Sequence, residues 1–170
     1  MRVHVLLLHA GGQRYALPSA SVVEVVPAVP LREVPGAPAE VGGLLHYRGR
    51  VVPVVDLAGR LRVAPPPATF STRIVVCLRP GSPVDTATRR LLGIRAGDVT
   101  RVGVLDPDAP GSHPGVLPDG LRALGRVTRD EEGLVQLVEL EGLLGADLLA
   151  RLDSEVPVPG GAPATDEVAP

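Results

Sequence analysis

The sequence predicts a mainly β protein made of two small five-stranded barrels lying side by side, with short helices and one helix at the end. Three observations carry this. The apolar residues make up 45% of the chain while aromatics make up 2%, so the core has to be built from Val, Leu and Ala, a set rich in strand formers. These residues fall in short β-branched runs bounded by Gly and Pro, the mark of strands buried on at least one face. The two halves of the chain also echo each other. Ala16-Leu17 followed by Val22 and Val25 recurs as Gly93-Ile94 followed by Val99 and Val102, and Val54-Val55-Asp56-Leu57 recurs as Leu137-Val138-Glu139-Leu140. Five short strands in each half suit a small closed barrel, since closure leaves no exposed edge.

Taken in order, Val3–Leu8 and Arg14–Leu17 read as a hairpin around Gly11-Gly12, stopped by Pro18. Ser19 can cap one or two helical turns through Ser21–Glu24. The four valines Val22, Val23, Val25 and Val26 form an apolar ridge around Glu24. Leu31–Glu40 is a Pro/Gly loop leading to Val41–Leu57, two strands joined by the basic turn Arg48-Gly49-Arg50. A guanidinium held on such a turn can bond a carboxylate or carbonyls in fixed geometry, although a solvated turn needs no partner. Ala58–Val63 closes the first unit, and Pro65-Pro66-Pro67 stiffens the junction. The second half runs through the strand Arg73–Leu78, a polar hairpin tip at Pro80–Thr88 and the returning strand Leu91–Arg95. Val99–Leu105 comes after Ala96-Gly97-Asp98, and Asp106–Gly120 is a Pro/Gly/Asp loop. Leu121–Thr128 and Leu134–Leu140 pair around Arg129–Gly133. Leu140, Leu143, Leu144, Leu148 and Leu152 share one face of a helix over 140–152. Gly142 and Gly145 weaken that helix, so packing has to hold it.

The expected organisation is therefore one domain over 1–153, with barrels at roughly 1–64 and 70–140, strand exchange between them left open, and a disordered Pro/Ala-rich acidic tail over 154–170. Facing walls of Val and Leu would leave a shallow apolar groove between the barrels, a protein-binding surface by default.

Composition narrows the function. A net charge of −2 and a pI near 6.1 argue against nucleic acid and anionic membranes as partners. Only Tyr15, Tyr47 and Phe70 carry rings on which bases could stack. All 17 basic residues are arginine, so neither a P-loop nor a Schiff-base lysine is available. No run approaches the roughly 20 apolar residues of a membrane helix, which gives a cytoplasmic expectation with no membrane insertion. Cys77 lies within an apolar run and reads as a buried structural thiol. His4, His9, His46 and His113 sit on separate elements without ligand spacing. Asp106 and Asp108 read as turn formers rather than a cation site, and Asp130-Glu131-Glu132 as a solvated hairpin tip. Asp56 and Glu139 close equivalent strands and are expected to bond backbone groups there. No nucleophile elbow or phosphate cradle is present; no catalytic, metal or cofactor residue is expected.

The order of these motifs resembles the CheW family, the adaptors of bacterial chemosensory arrays, and the related regulatory domain of the histidine kinase CheA. The resemblance rests on Tyr15-Ala16-Leu17-Pro18, the V-x-E-V of Val22–Val25, Gly43, and Arg48-Gly49 followed by Val52-Pro53-Val54-Val55-Asp56-Leu57. Gly93-Ile94 with Val99 and Val102, and Leu137–Leu140 with Leu143-Leu144, complete it. It implies a non-enzymatic scaffold of two SH3-like barrels without a cofactor. Its partners would be a methyl-accepting chemoreceptor's cytoplasmic tip and the regulatory domain of a CheA-type kinase. Position by position, it assigns Val22, Glu24, Gly43, Arg48, Val99 and Val102 to the receptor-facing groove. His46-Tyr47 stands where the family carries an asparagine, and Ala58 where a polar residue commonly follows the Asp-Leu pair. A module that keeps only one partner, as a decoy or localisation device, is the alternative; a small β-barrel ligand-binding protein or enzyme is a more distant one.

Overall fold

A computed structural model describes residues 1–65, 71–83, 85–114 and 124–155. Among the described residues nine strands form: β1 Val3–Ala10, β2 Gln13–Pro18, β3 Val22–Pro27, β4 Val41–Tyr47, β5 Arg50–Asp56, β6 Arg73–Leu78, β7 Leu91–Leu105, β8 Leu124–Asp130 and β9 Gly133–Val138. Two helices join them, α1 Leu57–Leu61 and α2 Leu140–Glu155. The helical turn expected through Glu24 is shorter: a 3-10 turn covers Ser19–Ser21, and Val22 already starts β3. Four valines in five positions favour the pleated surface over a helix, where their branched side chains crowd the preceding turn. The stiff Pro65–Pro67 junction and the tail lie largely outside the described residues.

The pairing does not divide the chain near residues 64–70. One unit joins the second half of β7 to β1, β1 to β2, β2 to β9 and β9 to β8. The other joins β3 to β6, β6 to the first half of β7, β7 to β5 and β5 to β4. Strands are thus exchanged between the halves, and the exchange tracks the sequence echo. Ala16 lies parallel to Leu137 in one unit, and Gly93 lies parallel to Val54 in the other. Each echoed segment pairs with its counterpart's neighbour, joined in parallel through a long crossover.

Alternation along the strands sorts side chains into three cores. Val5, Leu7, Ala16, Leu105, Val135 and Leu137 fill the interior of the first unit. Leu45, Tyr47, Val52, Val54, Ile74, Val76 and Leu91 fill the second, with Val23 and Val26 packed against them. Residues of β3 and β4, at opposite ends of that strand order, share one cluster, so the sheet is wrapped round on itself. The alternate positions Leu6, Leu8, Tyr15, Leu17, Val55, Val75, Cys77, Leu92 and Ile94 face the space between the units and form the largest core. Leu143, Leu144, Leu148 and Leu152 of α2 complete it, and the five leucines of the expected helix face are all buried. Burial pushes the Cys77 thiol up to about 12, so it packs as a neutral apolar group.

Two arginines pin α2 to the second unit. The helix breaks at Gly145 (φ 69°), which frees carbonyls of its first turns. Arg60 of α1 takes two of them, donating Nε to Leu143 O at 2.5 Å and Nη2 to Leu144 O at 2.8 Å. Arg79, only 3% exposed, donates to Leu149 O at 2.9 Å and pairs with Asp153 at 3.0 Å. Burial pulls its pKa below the ordinary arginine value, and Asp153 partly opposes that. At the far end of the first unit, Arg14 grips Asp130 through both oxygens at 2.6 and 2.5 Å.

The β3–β4 connection closes the second unit's seam. Arg32 and Leu44 exchange main-chain hydrogen bonds of 3.0 and 2.8 Å, and this brings Arg32 onto Gly43. A Cβ at Gly43 would stand 2.8 Å from Arg32 O and 2.8 Å from Leu31 Cβ, at φ +136°. Only glycine fits there.

These contacts predict three outcomes. Arg79→Ala removes a buried guanidinium together with its bonds to Leu149 O and Asp153 and should lower urea-unfolding stability by about 2 kcal/mol, whereas Asp153→Asn, at a half-exposed partner, should cost about 0.5 kcal/mol. Gly43→Ala should cost roughly 2–4 kcal/mol in the isolated protein. Asp130's carboxyl is held below its usual pKa, chiefly by the Arg14 hydrogen bond. Its contribution is therefore complete above the ordinary Asp value, about 3.9, and is lost as pH falls through the depressed folded value. Acid unfolding monitored by circular dichroism should be less steep in Asp130→Asn than in the parent.

Candidate partner-binding site

The turn between β4 and β5 is a two-residue loop, Arg48-Gly49, with both residues at positive φ (46° and 75°). That geometry matches the twist of a hairpin. A non-glycine residue in this region carries a local cost of about 1 kcal/mol, and here it sets an arginine at the tip. The Arg48 side chain is 72% exposed; its Nη2 lies 2.9 Å from Glu24 Oε2, and its guanidinium stands 5.5 Å from the centroid of the Tyr47 ring. The Tyr47 hydroxyl donates to the same Glu24 oxygen. That bond is the main reason the phenol's pKa is raised, burial being second. Glu24, Tyr47 and Arg48 therefore tie the edge strands β3 and β4 together across the seam and leave one face of the guanidinium open to water.

The six residues assigned by resemblance separate. Glu24 and Arg48 are in contact. Val22 is half-buried against the central core, and Val99 lies within it at 6% exposed. β7 turns the Val99 side chain inward, so in this structure it packs in the core instead of standing open to solvent. Gly43 faces the chain's own Leu31-Arg32 segment, so the close approach it permits is intramolecular. Val102, 72% exposed, is the apolar residue of this group that β7 presents to solvent. It borders an open groove of about 340 Å³ that runs beside Arg101, Val104, Arg129 and Glu131. The space between the units is packed rather than hollow; at its rim a second depression of about 290 Å³ is lined by Pro18, Ser21, Leu78, Val138 and Leu140.

Asp56 has the backbone role expected of it. It caps α1, accepting from Ala58 N at 3.1 Å and Gly59 N at 3.4 Å, while its other oxygen takes Arg95 Nη2 at 2.5 Å. Glu139 differs: its side chain is exposed, and what it gives α2 is its main-chain carbonyl, accepting from Leu143 N at 2.9 Å. Tyr47 is the site residue that sequence reasoning misses. Its position beside Arg48 is visible there, but its contact with Glu24 depends on the closing of β3 onto β4. Among the described residues, no three His, Cys, Asp or Glu side chains come together in a way that could hold a metal ion. No helix there is long and apolar enough to cross a membrane.

Comparison with known proteins agrees with this architecture. The family model of the CheW-like domain matches residues 4–147. A probable chemotaxis protein CheW of Rhizobium etli is 25% identical over 140 residues, covering 82% of this chain and 85% of that protein. Chemotaxis protein CheW of Rhizobium meliloti is 24% identical over 144 residues, covering 84% and 88%. The crystal structure of the scaffolding protein TtCheW from Thermoanaerobacter tengcongensis superimposes with a TM-score of 0.71 at 18% identity, covering 87% of this chain and 91% of that one, and so shares its fold. With the family model spanning both units and the first turns of α2, the chain belongs to the CheW-like domain family.

Proposed function

We propose that this chain is a non-enzymatic adaptor of chemotaxis signalling, working in the cytoplasm, that couples chemoreceptors to a CheA-type histidine kinase. The observation that carries this reading is the CheW-like domain match over residues 4–147, supported by relatives named as chemotaxis proteins along most of the chain. The site geometry supports binding rather than chemistry. An exposed guanidinium on a rigid turn and an exposed valine on β7 offer a charged anchor and an apolar contact for the face of a partner helix. Single contacts of this size give weak pairwise affinity, which repeated engagement in an array strengthens.

The test is binding of a receptor cytoplasmic-tip fragment and of the kinase regulatory domain to the full chain, measured separately. Both should bind. Arg48→Ala and Val102→Asp should each weaken receptor-tip binding by about tenfold, equivalent to 1.4 kcal/mol, with the fold intact by circular dichroism. Val99→Asp would not serve, since a charge there enters the central core. Unchanged receptor binding in both variants would remove these residues from the site. Binding of one partner alone would replace the coupling role with the single-partner module.

A further inference from the structure

Among the described residues, just over half of the arginines are matched by an acid. Arg14 meets Asp130 and Glu132, Arg79 and Arg90 meet Asp153, Arg95 meets Asp56, and Arg126 meets Asp108. The face around the β4–β5 turn breaks the pattern. Arg48, Arg50 and Arg89 gather there around Tyr47, whose one carboxylate neighbour is Glu24, already paired with Arg48. Arg50 Nη2 donates to the main-chain carbonyl of Arg89, which brings a second cationic side chain to the residue beside β7. Arg89 is near enough to Tyr47 for its charge to act on the phenol, lowering its pKa as Arg48 does. The Nε of Arg89 is shut off from water with no hydrogen-bond acceptor. Neither Arg50 nor Arg89 has a carboxylate partner among the described residues.

Both features act against the free chain. Adjacent like charges repel, and a buried N–H without an acceptor forfeits its hydration for nothing. Local arrangements that oppose folding mark positions kept for something outside the chain. We propose that Arg50 and Arg89 join Arg48 in a three-guanidinium face that receives an acidic segment of a protein partner. This rests on the adaptor reading and adds the chemistry of the contact. Planar guanidiniums set around one turn can take several carboxylates in defined geometry. Glu24 satisfies one of the three, and an incoming segment supplies the remaining negative charge.

Fluorescence anisotropy of a labelled receptor-tip fragment, titrated with the full chain at low and raised ionic strength, tests this. Arg50→Gln and Arg89→Gln should each weaken binding about fivefold at low salt and make it less salt-dependent. The differences should vanish with a fragment whose Asp and Glu are replaced by Asn and Gln. The melting temperature should not fall in Arg89→Gln, which relieves repulsion and removes the unbonded N–H, whereas Arg50→Gln also loses its bond to the Arg89 carbonyl and is read by binding alone. Equal binding by the wild type and both variants would overturn this inference and leave the adaptor reading standing. No binding of the fragment by the wild type would overturn that reading, and this inference with it. A lowered melting temperature of Arg89→Gln accompanying its weaker binding would make that arginine structural and overturn the proposal. So would loss in the variants of binding to phosphatidylserine-containing vesicles while fragment binding is unchanged, since the face would then serve a membrane.

Discussion

One strand belongs to both halves of this molecule. β7 runs 15 residues, and its first part pairs with β5 and β6 while its last part pairs with β1. A single strand cannot serve two closed sheets without turning between them. It does so at Gly97–Arg101, where Asp98 takes a positive φ and the register against β1 shifts. Irregularities of this kind bend a strand and increase its twist. The bend orients the rest of the strand: Val99 is delivered to the central core, and Val102, a few residues on, to solvent. The buried and exposed members of the candidate site are thus fixed by one local distortion.

The second constraint is the use of arginine as a main-chain ligand. Arg60 takes two carbonyls of α2 at its break, Arg79 takes one further along, and Arg50 takes the carbonyl of Arg89. A lysine ammonium lacks the planar fork that lets Nε and Nη2 of Arg60 reach consecutive carbonyls together. In a chain without lysine, guanidiniums therefore do structural work in the interior as well as carrying surface charge. The face around Arg48 is distinguished by holding three arginines against one paired carboxylate, Glu24, with Arg50 and Arg89 lacking a carboxylate partner among the described residues.

The mainly β architecture, the apolar face of α2, the neutral character of Cys77 and the capping role of Asp56 are all legible in the sequence. Each depends on local pattern: period-two alternation, 3.6-residue spacing, an isolated thiol in an apolar run, a carboxylate before a helix. The features that escape such reading depend on which strands meet. The sequence echo between Ala16-Leu17 and Gly93-Ile94 is visible, but whether each segment pairs within its own half or across halves is decided by crossover geometry, to which local pattern is blind. The same blindness hides Tyr47, whose partner Glu24 lies 23 residues away, and the burial of Val99 in the core. Gly43 is legible as a glycine that something must approach closely; only the closing of the seam shows that its neighbour is Arg32.

Strand exchange also dictates the order in which the molecule can assemble. The β1–β2 hairpin is made early in the chain, yet its neighbours β7 and β9 come last, and Arg14 finds Asp130 only across 116 residues of intervening chain. The second unit has all its strands by Leu105, whereas the first lacks its β9 partner until Val138 has been made. Contacts of such long range slow folding, because the loop between them has to be closed before they stabilise anything. During synthesis the second unit can form around β3–β7 while the N-terminal hairpin waits with one edge of β2 unpaired. Neither half of the sequence, cut at its midpoint, contains a complete set of strands for either unit; the two halves have to fold together, with β8 and β9 joining last.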